Sequence, residues 1–188
     1  PSLFWHTVNE TYKAFSVGCV GININIPWAA FTEIQAYVFL STLTALQENR
    51  NGLLRRVAQR ASNNWTAWDE LEYSNVPNTI AQVVKSREAE NSSKYQGINL
   101  LHDNTIELRY FNSNAKGGRV LKNLEFVQMM YDYALALTDG YDWDASEDEI
   151  PPSDIISLVE EFRNTVVNCP PATQDMIVDD VDDVFFFF

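Results

Sequence analysis

A glutamate and an arginine stand two residues apart in Thr105-Ile106-Glu107-Leu108-Arg109-Tyr110-Phe111. The alternation of this stretch predicts a half-buried strand. Ile106, Leu108 and Tyr110 share one face, and Thr105, Glu107 and Arg109 share the other. An acid and a base in register on one sheet face either lie in solvent or line a site. A second strand is read over residues 17–26, where Asn23 and Asn25 alternate with Ile22, Ile24 and Ile26. Asparagine is a poor strand former. Either this polar face is solvated, or its amides hydrogen-bond into a site or a neighbouring subunit. Gly18 and Gly21 leave room there for a bulky group to approach. Arg55, Arg56 and Arg60 fall close together on a short predicted helix, as a solvated face or as an anion-binding cluster.

Other reactive types are set aside. His6 and His102 are isolated, and neither is expected to hold a metal. Cys19 has no activating base at a fixed spacing and reads as a core thiol. Asp179, Asp180, Asp182 and Asp183 lack the glycine and the closing glutamate of a calcium loop.

Several elements must position these residues. Phe31, Ile34, Tyr37, Val38, Leu40, Leu43 and Leu46 predict a helix over 31–48 with Thr32 as N-cap. A turn at 48–52 breaks it, and a second helix is read over 53–61. Residues 62–94 read as a loop holding one helix, over 80–87, capped by Thr79. A short strand at 97–100, a turn at His102-Asp103-Asn104 and the strand at 105–111 make an antiparallel hairpin. A long helix is predicted over 119–137, with Val120, Leu121, Leu124, Val127, Tyr131 and Ala134 as its apolar stripe. This order predicts an α+β fold, an antiparallel sheet covered by helices on one face. The α+β domain is read over 1–138. It is followed by an acidic linker at 139–152, a helix at 153–168 with Ser153 as N-cap, and an acidic, Phe-rich tail at 169–188.

Composition narrows the partners. The 188 residues carry a net charge of -13. Residues 1–138 hold 12 basic and 12 acidic side chains, and residues 139–188 hold 14 acids against Arg163 alone. The acidic tail is therefore not expected to touch nucleic acid directly. No stretch has the run of about 20 apolar residues that spans a membrane, and no signal-peptide pattern opens the chain. Cys19 and Cys169 are too few for a disulfide framework or a cysteine-rich zinc site. An exposed Phe185 to Phe188 would be an aggregation hazard in a free monomer, so protein partners or self-assembly through the C-terminal region are expected.

Over roughly residues 15–138 the chain resembles the C-terminal half of the amidoligase family of the carboxylate–amine ligase superfamily, related in fold to glutamine synthetase and glutamate–cysteine ligase. The resemblance is carried by Tyr95-Gln96-Gly97-Ile98-Asn99-Leu100, by Thr105 to Asn112, by the long helix after them, and by Cys19 to Ile26, which is similar to the family's Gly-x-His-x-His strand. It implies an ATP- and Mg-dependent ligase that joins a carboxylate to an amine through an acyl phosphate. Glu107 would hold the magnesium, since a hard cation prefers carboxylate oxygens. Arg109 would clamp a phosphate or a substrate carboxylate as a fork. Asn23, Asn25, Asn99, Arg56 and Arg60 would contribute substrate or phosphate contacts.

The chain departs from the family at two places. Its histidines are replaced by Asn23 and Asn25, which are neither acids nor bases near neutral pH. The early strand with paired glutamates has no counterpart, since Glu10 is the one acid before Asn23. The expected function is therefore a degenerate amidoligase-like domain that needs no cofactor. It would serve as a structural or interaction subunit of a larger assembly such as a phage particle, placing the chain in a virion or the cytoplasm. The alternatives are a working ligase with Mg and ATP, and a binding module that uses its acidic tail.

Overall fold

The computed structural model describes residues 21–49, 52–59, 67–68, 71–86, 95–102, 104–112, 117–146 and 150–168. The expectations for residues 1–20, with His6, Gly18 and Cys19, lie outside these. So do those for Asp103, for Arg60 and residues 61–66, and for the tail at 169–188 with Cys169.

Three strands make one antiparallel sheet: β1 (Gly21–Pro27), β2 (Ile98–His102) and β3 (Thr105–Asn112). Their order is β1–β3–β2, so the strand that carries Glu107 and Arg109 lies at the centre. Both ladders slip by one residue. Along β1, Ile24 faces Leu108 but Ile22 faces Phe111, which places an extra residue on β3. Beyond that bulge Tyr110 and Phe111 both turn into the core and are fully buried. The predicted alternation therefore holds as far as Tyr110 and breaks at Phe111. Along β2, Asn99 faces Glu107 but His102 faces Thr105, so the extra residue falls on β2 between them.

Helices cover part of the sheet, giving a small α+β fold. They are α1 (Glu33–Glu48), α2 (Leu53–Ala58), α3 (Val76–Ser86), α4 (Gly117–Leu137) and α5 (Ser153–Val167). Helix α1 starts as its sequence predicts. The Thr32 hydroxyl accepts from the Gln35 N–H at 3.4 Å, and the Gln35 side chain accepts from the Thr32 N–H at 2.9 Å. This reciprocal pair satisfies two of the helix's otherwise orphaned donors. Every residue from Ala36 to Gln47 is buried. That is possible because α2, α3, α4 and α5 all pack against α1. Two of its polar members are satisfied within the helix: the hydroxyls of Thr42 and Thr44 donate to the carbonyls of Val38 and Leu40, each at 2.8 Å.

Several boundaries differ from the sequence reading. Helix α2 ends at Ala58 because Gln59 is left-handed, with φ 51°, and its N–H returns to Arg55 O. Helix α3 begins at Val76, so Thr79 is inside it and donates to Asn75 O rather than capping. Pro77 suits a first turn, where its missing N–H costs nothing. Ser153 is the first residue of α5, and Pro152 precedes it without a side-chain cap. Within residues 139–152, Trp143 is buried edge-on against Tyr37 at 5.8 Å, and the Ala145 N–H donates to the Glu33 carboxylate. Trp143 and Ala145 belong to the same core as the helices.

Helix α4 is rotated from expectation. Its buried side holds Arg119, Lys122, Asn123, Phe126, Val127, Met130 and Ala134, while Leu121 and Leu124 face outward. Sequence hydrophobicity misplaced this stripe because the buried lysine has a specific partner: Lys122 Nζ donates to Val57 O of α2 at 2.6 Å. Burial, reinforced by the neighbouring Arg119 charge, pushes the Lys122 amine down to about 8 from 10.5. Between those values the unfolded chain binds the extra proton, so stability rises with pH across that window. Below about pH 8 both states are charged and the burial penalty is complete. Thermal midpoints of the parent and Lys122→Met proteins, read every half unit from pH 7 to 10, test this; the parent is expected to gain stability from pH 8 upward relative to the variant. Parallel curves would mean that the amine is well solvated. Above about pH 10 the phenols of Tyr37, Tyr73 and Tyr110, all raised by burial, act in the opposite sense.

Candidate functional site

The polar side of the central strand gathers residues from all three strands. Glu107 is 8% exposed and Asn99 is 2% exposed. Asn23 Nδ2 donates to Glu107 Oε1 at 2.6 Å, and Asn99 Nδ2 donates to Glu107 Oε2 at 2.5 Å. One carboxylate thus ties β1 and β2 to β3. The geometry follows from register, since Asn99 and Asn25 both lie directly opposite Glu107. The direction of the Asn99 amide is set by a third bond: the Leu101 N–H donates to its Oδ1 at 3.0 Å. The Nδ2 end must then face the carboxylate. Hydrogen bonds to an ionised acceptor are stronger than neutral ones, and a buried carboxylate needs such partners.

His102 joins the same group. Its Nε2 lies 3.4 Å from Glu107 Oε2, while the side chain remains 56% exposed. Strict alternation from Ile98 and Leu100 would send His102 toward the core. The extra residue on β2 reverses it, and bulges beside sites characteristically re-aim a side chain in this way. The sequence reading treated His102 as isolated. The signal it passed over is the pair Leu100-Leu101, which cannot both face the core of a regular strand.

Arg109 lies two residues beyond Glu107. Its backbone N–H donates to Gly97 O at 2.8 Å, and its Nε is buried without a hydrogen-bond partner. Asn25 is exposed on β1 and brings its Cα opposite Glu107 without a hydrogen bond to it. Arg56 is exposed on α2 and makes no ion pair or hydrogen bond with Glu107 or Arg109 among the described residues. The structure therefore brings Asn23, Asn99 and Glu107 into direct contact, adds His102, and leaves Arg56 apart from that contact.

These residues do not fit a magnesium ion. Both Glu107 oxygens face amide N–H groups, and the fixed Asn99 amide presents hydrogens where a hard cation needs oxygen. Among the described residues no three His, Cys, Asp or Glu side chains cluster closely enough to hold a metal. No described helix is long and apolar enough to cross a membrane. Comparison of the chain with protein-family models, with curated proteins and with solved structures finds no match.

Proposed function

We propose that the chain is a degenerate amidoligase-like domain serving as a structural or interaction subunit of a larger assembly, such as a virus particle. On this reading its sheet is a reused part of a glutamine synthetase-like carboxylate–amine ligase fold. The carrying observation is the state of Glu107. The carboxylate that would hold a metal in a working ligase is engaged at both oxygens by Asn23 and Asn99. A polar bridge of this kind gives a sheet a fixed register rather than a reactive centre. An interaction role through the C-terminal region is supported by apolar surface there. Ile150 is 71% exposed, Leu158 38% and Val167 47%. Contact with a protein partner would remove such groups from water.

A working ligase is the second reading, favoured by the buried, unpartnered Nε of Arg109 on the same strand. Calorimetric titration of magnesium ATP into the full chain separates the two. The expected result is no saturable heat at concentrations up to about 1 mM, where even weak nucleotide sites fill. One-site binding that disappears in the Arg109→Ala protein would establish the ligase reading in its place.

A further inference from the structure

Strand β1 runs along one edge of the sheet, bonded to β3 alone. Directly after it the Trp28 N–H points to that neighbour, donating to Asn104 O at 2.9 Å. Backbone groups alternate along an antiparallel strand. Those of Ile22, Ile24 and Ile26 therefore also point to β3, and those of Gly21, Asn23, Asn25 and Pro27 point outward. Among the described residues the outward groups have no hydrogen-bond partner. We propose that this edge pairs antiparallel with β1 of a second copy of the chain, about a twofold axis at Ile24, so that two three-stranded sheets become one.

The side chains select the second copy as partner. A twofold contact needs a surface complementary to itself. Between Gly21 and Pro27 the strand reads Ile-Asn-Ile-Asn-Ile in either direction about Ile24. Turned about that centre, Ile22 lies against Ile26 of the second copy, Ile24 against Ile24, and Asn23 against Asn25. Every one of these side chains meets its own kind, and β1 overlaps along its full length. The outward groups of Asn23 and Asn25 exchange bonds across the seam, and the Gly21 N–H reaches the Pro27 carbonyl, giving about six main-chain bonds.

The two faces of the strand gain different contacts. Asn23 Nδ2 donates to Glu107 Oε1 at 2.6 Å, which leaves its Oδ1 as an acceptor. Asn25 is exposed, and its side-chain amide makes no hydrogen bond among the described residues. Across the seam that amide donates to Asn23 Oδ1 of the second copy, and the Glu107 bridge extends from one sheet to the next. This gives a reason for two asparagines, poor strand formers, on one strand. On the other face Ile22, Ile24 and Ile26 are half-buried against the core. Cross-strand contact with their counterparts removes more of their surface from water.

Edge strands that stay single are usually protected by charged side chains, by a bulge or by proline. Residues 21–27 hold no charged side chain, the extra residue of the ladder falls on β3, and Pro27 stands only at the end. The pairing uses no residue of the C-terminal region, so it does not depend on the assembly role proposed above.

Sedimentation equilibrium of the full chain, from about 5 to 500 μM, should show monomer and dimer with a dissociation constant of about 10 to 100 μM, as suits a small seam. Asn25→Pro removes an outward N–H and leaves the ladder with β3 whole, a change that edge strands accept. It should weaken the dimer at least about tenfold and leave the far-ultraviolet circular dichroism unchanged. Ile24→Cys, in a Cys19→Ser, Cys169→Ser background, tests the register. Facing residues of a non-hydrogen-bonded pair have Cα atoms about 4.5 Å apart, within disulfide reach, so mild oxidation should give a covalent dimer. Asn25→Cys in the same background should not, because position 25 faces position 23 and its own counterpart lies beyond the roughly 7 Å limit. A parent that stays monomeric at about 500 μM, where a seam of this size would be filled, would overturn the pairing. So would a dimer that persists unchanged in a folded Asn25→Pro protein, or cross-linking no faster at position 24 than at 25. The cysteine comparison decides the matter if Asn25→Pro folds poorly.

Discussion

The Glu107→Ala protein is expected to melt about 10 °C below the parent, a loss of about 3 kcal/mol in a domain of this size. The loss arises chiefly at Asn99. Its amide is 2% exposed and would be left with a buried donor and no acceptor, at a cost of about 1 to 3 kcal/mol. Asn23 lies nearer water and contributes less, because its freed N–H can be rehydrated. Glu107→Gln is a sharper test than truncation. The new amide at position 107 can still accept from Asn23, but its own NH₂ would meet the NH₂ of Asn99. Adding Asn99→Asp reverses the second pair: the acid then sits on β2, accepts from the amide on β3, and still accepts from the Leu101 N–H. The double variant should recover most of the stability lost in Glu107→Gln. Thermal melts of all four combinations give the coupling. Additive losses would show that the Glu107 and Asn99 side chains do not pair in solution, and the strand-bridging role would fall with that.

The site was partly legible because it depends on strand periodicity. Glu107 could be placed on the polar side of β3 from alternation alone, and Asn23 on the matching side of β1. Asn99 entered that reading through the family resemblance alone, and its place opposite Glu107 is a finding of the structure. What could not be read was the count of residues across each ladder. A one-residue slip moves every later side chain to the other face. One such slip brings His102 to Glu107, and another turns Phe111 inward beside Tyr110. The stripe of α4 failed for a different reason. Hydrophobicity favoured Leu121 and Leu124 as core, but Lys122 reaches the Val57 carbonyl of another helix, a partner that no local pattern reveals. Arg56 belongs to the same class: proximity in sequence to two other arginines said nothing about distance from β3.

Gly97→Ala is expected to cost about 3 kcal/mol, by overpacking rather than by backbone strain. A methyl group at this position would lie 2.5 Å from Tyr110 Cε1, 2.9 Å from its Cδ1 and 3.1 Å from Trp68 Cδ1. Neither side can retreat easily. The Gly97 backbone is held by its N–H to Ala67 O at 2.6 Å and by its carbonyl, which accepts from Arg109. The Tyr110 ring is fully buried, packs edge-on to Trp68 at 5.9 Å, and takes a hydrogen bond on its hydroxyl from Gln47. Moving the ring therefore breaks a buried polar contact as well as its packing. The gain from a stiffer unfolded chain, about 0.4 to 1 kcal/mol for glycine to alanine, offsets only part of this. In a Tyr110→Leu background the clash is removed, and the same substitution should cost less than about 1 kcal/mol. A double-mutant cycle by urea unfolding reads the coupling directly. Equal costs in both backgrounds would mean that the ring is free to move aside. The consequence reaches the polar face, because the carbonyl of Gly97 also fixes the backbone of Arg109. If Gly97 must shift to admit a methyl group, Arg109 shifts with it. The spacing of core rings behind the sheet thus sets where the Glu107 and Arg109 side chains stand in front of it.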